Sequence, residues 1–266
     1  WMEMNIWGWR TSRMAAQPKY MAAQGWGGLA IEDEFAAEFA ANDGDSYRRK
    51  GTMVNYQEFL PELEWPSDNG NINGMTLAQK LADPLRGINN VQGLYGQCSY
   101  LQKKHIATPA DVLTTFSYRY NNFIVARYAD VLLLYAEACA QTSDSDGLQY
   151  LQKVQQRAGS AHVSSALTLD EVKKERNYEL WCEGSRWIDM KRWGELDKAK
   201  NAGKHIPSLK DAFFTLDEPA HRGYVTYSEP NEGKQCGFVA NKHEWFPYPY
   251  SVTSINPNLQ QNEGWQ

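Results

Sequence analysis

Arg176, Glu179 and Glu183 stand three and four residues apart. On a helix that spacing puts all three on one stripe. Two carboxylates there could act as the acid and base that cleave a glycosidic bond. Such pairs flank the bond at roughly 5 to 9.5 Å, one on each side of a cleft. Glu179 and Glu183 would instead approach a substrate from the same side. Arg176 one turn earlier and Arg186 just after are near enough to lower both pKa values, which disfavours a proton donor. Asp189 and Arg192 continue the alternation of sign on the next helix, and Trp181, Trp187 and Trp193 flank the charges. Charges set among tryptophans lose water and need hydrogen-bonded partners. The pattern predicts a structural ion network of Arg176, Glu179, Glu183, Arg186, Asp189 and Arg192 locking two helices together. Catalysis by Glu179 and Glu183 is the competing reading.

A second chemistry lies in the aromatic residues. Ten Trp and 15 Tyr help bring the aromatic share to 13%, and many sit in loop-like sequence beside Asn, Asp and Gly. A sugar ring has an apolar C–H face that a flat, rigid indole covers at low entropic cost. Polar side chains at the rim then satisfy the hydroxyls. Trp7, Trp9, Trp26 and Trp65 are the candidates for stacking, with Tyr20 a lesser addition. Asn69 and Asn71 are candidate polar partners of Trp65. The bland alternative for each is ordinary packing, and Trp181, Trp187 and Trp193 are assigned to structure.

Other chemistries find little support. Residues 144–147 look like part of a calcium loop, but Thr142 and Lys153 would occupy its first and twelfth ligand positions, so the segment reads as a turn. His105, His162, His205, His221 and His243 are scattered without ligand spacing. No Ser-His-Asp signature or phosphate-cradling loop appears, and neither metal nor cofactor is expected. Cys98, Cys139, Cys182 and Cys236 form no C-x-x-C pair and read as buried free thiols. A net charge of −5 implies no basic surface for nucleic acid. The longest apolar run, residues 129–140, is broken by Asp130 and Glu137 and is too short to span a bilayer. The chain opens at Trp1 without initiator Met or signal peptide, which reads as a fragment or a processed product.

The elements that must position these residues are clearest in the second half. Residues 31–41 predict a short helix stopped by Asn42–Asp45. Residues 51–59 allow a strand, and 67–74 form a turn-rich loop. Residues 124–141 predict a helix so apolar that it must sit inside a layered helical array. After a turn at 142–147, residues 148–158 form the next helix, stopped by Gly159. The two make a hairpin like one tetratricopeptide unit. Thr168 and Glu171 match a capping box that opens a third helix running to about Cys182. A fourth covers 185–193, and the rest is largely irregular. The fold class is mainly α, with tetratricopeptide-like hairpins, long irregular loops and few short strands. A loop-rich, Trp-rich segment (1–123) and a helical and C-terminal region (124–266) are expected to form one continuous domain.

Four motifs in order carry a resemblance. RYADVLLLYAEA at 127–138 and LQKVQQRAG at 151–159 resemble helices of SusD/RagB proteins. ERNYEL at 175–180 with EGSRWIDMKRWG at 183–194 is similar to that family's most recognisable motif. FPYP at 246–249 through NPNLQQNEGW at 256–265 looks like its C-terminal signature. The similarity is clearest over 124–266 and weaker over 26–60. Ser185 stands where the family carries His or another bulky residue, and FPYP replaces Ile-Pro-Ile-Pro. The resemblance implies a lipoprotein on the outer face of the outer membrane of a Bacteroidetes-type bacterium. It implies capture of oligosaccharide, not catalysis, and delivery to a SusC-like TonB-dependent transporter. Some relatives capture peptides instead. It also implies that a missing upstream half supplies the lipid anchor, most of the helical hairpins and part of the ligand site.

Overall fold

In the computed structural model the structure describes residues 31, 33–55, 58, 100–106, 124–200 and 237–266, with strand pieces at 17–18, 63–64, 206–208 and 226–228. The chain divides into two compact units, residues 1–183 with 207–227 and residues 184–206 with 228–266. The first therefore takes in sequence from both sides of the expected 123/124 boundary.

In the first unit, β1 (Gln17–Pro18) pairs antiparallel with β3 (Leu63–Glu64). Helix α1 spans Asp33–Asp43 and α2 spans Tyr47–Thr52. Strand β2 (Met53–Asn55) pairs antiparallel with β4 (Tyr100–Gln102), with Val54 opposite Leu101. Then come α3 (Tyr128–Thr142), α4 (Gly147–Ala158) and α5 (Leu169–Glu179). Beyond them lie α6 (Ser185–Arg192), a 3-10 turn (Leu196–Ala199), the paired strands β5 (Ile206–Ser208) and β6 (Thr226–Ser228), and α7 (Tyr250–Thr253). The described residues are dominated by helices, with few short strands, as the sequence predicts.

The hairpin of α3 and α4 forms because its apolar residues recur at helical spacing. Ala129, Leu132, Leu133 and Ala136 on α3 meet Leu151 and Val154 on α4 and Val172 on α5. Ser143, at φ 59°, ends α3, and Gly159, at φ 67°, ends α4. Gly147 starts α4 where no side chain fits. A Cβ there would lie 2.6 Å from Cys139 Cβ and 2.8 Å from Leu167 Cδ2. Thr168 caps α5, its hydroxyl accepting from Glu171 N at 3.1 Å. The return arm of the expected capping box is differently used. The Glu171 carboxylate takes Ser164 Oγ at 2.6 Å and meets His162 Nε2 at 2.7 Å, which fixes the α4–α5 connection.

A second core joins Ile31, Ala36, Phe39 and Met53 to Tyr178 of α5. Phe39 stacks on Tyr178 at 4.9 Å and Phe35 on Trp181 at 6.2 Å. Of the strand expected over 51–59, Met53–Asn55 is extended, and residues 51–52 finish α2. That helix is unexpected. Its start is Ser46, whose hydroxyl accepts from Arg49 N at 3.0 Å. The third helix also ends earlier than expected, at Glu179.

In the second unit Met190, Leu196 and Phe238 form a small core, with Trp187 edge-on to Phe238 at 6.2 Å. The C-terminal stretch is irregular but tied down by side chains. Gln261 bonds both backbone groups of Tyr248, at 2.7 and 2.9 Å. Asn262 donates to Phe246 O at 2.6 Å, and the Trp265 indole donates to Lys242 O at 2.7 Å. Among the described residues, no helix is long and apolar enough to cross a membrane.

Candidate functional site

The cluster around α5 begins with spacing. Glu175, Glu179 and Glu183 recur every four residues, so α5 and the turn after it carry a carboxylate stripe. Burial leaves the side chains of Glu175 and Glu179 at 1% and 2% exposed. Buried carboxylates require cations, and four segments supply them. From α2, Arg48 forks onto Asp43 at 2.7 and 2.8 Å, reaches Glu179 Oε2 at 3.0 Å and pairs with Glu175. Just before α3, Arg127 donates from Nε to Glu183 at 2.6 Å and pairs with Glu179. Arg157, in the last turn of α4, pairs with Glu179. Lys104, in the turn after β4, meets Glu183 Oε1 at 2.5 Å and donates to Glu179 O at 3.1 Å. Asp43, Glu175, Glu179 and Glu183 thus face Arg48, Lys104, Arg127 and Arg157, four anions against four cations.

The electrostatics follow from this balance. Burial pushes the Glu179 carboxyl up, but bonds and charge from Arg127 and Arg48 outweigh it and hold the group below the ordinary carboxylate range. Glu183 is likewise pushed up by burial and brought lower overall by Arg127 and Lys104. At Glu175 burial outweighs Arg48 and raises the pKa. Burial lowers Lys104 despite Glu183. Glu179 and Glu183 therefore hold no proton near neutral pH to give a leaving group. Burial also pushes the half-buried Cys182 thiol up to about 12, so it is no nucleophile at neutral pH.

The expected network differs in its partners. Glu179 and Glu183 do sit in one ion cluster, but Arg176 donates to Asp130 of α3 at 2.7 Å. Arg192 holds Asp189 at 2.9 Å within α6, and Arg186 also lies in the second unit. The cations that reach the two glutamates come from far along the chain. Spacing along one helix identifies only local neighbours, so it could not name Arg48, Lys104 or Arg157. One signal was available: three glutamates at four-residue steps cannot be buried without distant positive charge.

The proposed sugar-stacking residues Trp7, Trp9, Trp26 and Trp65, with Tyr20, Asn69 and Asn71, lie outside the described residues, as do Cys98 and Cys236. Trp181 packs in the second core of the first unit. Arg192 lies over the Trp193 ring at 4.7 Å. In the second unit Trp245, Phe246, Tyr248 and Tyr250 are exposed aromatics that the sequence reading did not place among the ligand candidates. Lys191 Nζ sits 3.5 Å from the Trp245 ring centroid and donates to Glu244 O at 3.0 Å.

A family model described as the SusD family matches residues 7–265. The chain belongs to the SusD family. Two curated relatives of this SusD-family chain are similar over shorter stretches. A SusD-like protein of Bacteroides ovatus is 41% identical over 76 residues, 27% of this chain and 14% of the relative. SusD-like protein P2 of Formosa agariphila is 39% identical over 84 residues, 27% of this chain and 17% of the relative. Among solved structures, a laminarin binding SusD-like protein superposes on 99% of this chain and 44% of its own, with TM-score 0.58 and 19% identity. A SusD superfamily protein from Bacteroides vulgatus superposes on 95% and 48%, with TM-score 0.51 and 22% identity. At these identities the structures speak for the SusD fold. The chain spans less than half the length of the solved relatives it superposes on.

Proposed function

We propose that this SusD-family chain is part of a longer surface receptor that binds oligosaccharide without cleaving it and passes it to a SusC-like TonB-dependent transporter. The family match over residues 7–265 carries this reading. The receptor would lie on the extracellular face of the outer membrane, lipid-anchored through sequence outside this chain. Trp7, Trp9, Trp26 and Trp65, helped by Tyr20, Asn69 and Asn71, would cover the C–H faces of the sugar and meet its hydroxyls. A binding role also suits the carboxylates: Glu179 and Glu183 are tied to cations and held deprotonated, so neither is poised as a general acid.

The test is titration with laminarin oligosaccharides, then with a wider glycan panel, following tryptophan fluorescence and calorimetry while assaying reducing ends. Saturable binding with no new reducing ends is expected. Replacing a stacking tryptophan by Ala should weaken binding about 2- to 10-fold. Binding of peptides with silence across the glycan panel would move the ligand class to peptide. Time-dependent reducing ends abolished by Glu179→Gln would replace the reading with a glycosidase.

A further inference from the structure

We draw no further inference here: the strongest candidate, the exposed aromatic patch of Trp245, Phe246, Tyr248 and Tyr250 in the second unit, is an unpartnered apolar face, and nothing in the structure shows what covers it.

Discussion

Glu179 accepts charge from Arg48, Arg127 and Arg157 while almost fully buried, which makes it the hub of the four-anion, four-cation cluster. Removing its charge leaves three guanidiniums short of an anion. Glu179→Gln should cost about 3–5 kcal/mol at pH 7, the range for breaking a buried pair by deleting one partner. The pH dependence has a definite sign. Asp43, Glu179 and Glu183 are held below their ordinary values, which are 3.8 for Asp and 4.5 for Glu. On acidification the unfolded chain takes up protons first. The stability these groups give is complete above about pH 4.5 and is lost as pH falls through their folded values. Glu175, raised by burial, acts in the opposite sense, but it is one group against three. The Tm should therefore drop steeply below pH 4.5, and less steeply in Glu179→Gln. Parallel Tm profiles for the two proteins would show that Glu179 is not part of the acid sensitivity. At this scale the sequence pointed to Glu179 and Glu183 as paired carboxylates, because charge among aromatic residues demands pairing, but not to Asp43 or Glu175. It could not identify Arg48 or Lys104, because no periodicity connects residues 48, 104 and 179.

Helices α3, α4, α5 and α6 were legible nearly to their ends. A long apolar run marked α3, the charged residues at three- and four-residue steps marked α5, and Gly159 and Thr168 marked two boundaries. Helix α2 was not legible. At six residues it has no period to read, and the Asp43–Ser46 stretch that ends α1 also provides its cap. The third helix stops at Glu179, and the carbonyl this end leaves free accepts from Lys104 and Arg127 at 3.1 and 2.5 Å. The α3–α4 hairpin depends on one residue that looked like an ordinary turn glycine. Gly147→Ala would force a methyl against Cys139 and Leu167, at 2.6 and 2.8 Å, with α3 backbone at 3.1 Å. The expected cost is about 1–3 kcal/mol, as for overpacking a core. Gly51→Ala is the control: its Cβ meets nothing within 4 Å, and Ala is the better helix former. Chemical denaturation should show a lower midpoint for the first variant and an unchanged or higher one for the second. Equal midpoints would mean that α3 and α4 can part without loss.

For the molecule as a whole, motif order carried the family assignment where local chemistry could not. The helical scaffold is dictated by burial and is legible in periodicity, whereas a sugar-stacking tryptophan follows no period and looks like any loop tryptophan until it is placed beside a groove. Scaffold and binding face should therefore respond separately to mutation. If the ion cluster only supports the fold, Glu179→Gln at a temperature where it stays folded should bind oligosaccharide as tightly as the wild type. Ligand at 100 times its dissociation constant should then stabilise both proteins by about 2.7 kcal/mol, because binding to the folded state alone sets that increment. Melting curves with and without a glycan that binds the wild type measure it directly. Equal upward shifts from different starting Tm values are expected. A shift present in the wild type and absent in Glu179→Gln would place that carboxylate at the ligand and remove the separation between scaffold and binding face.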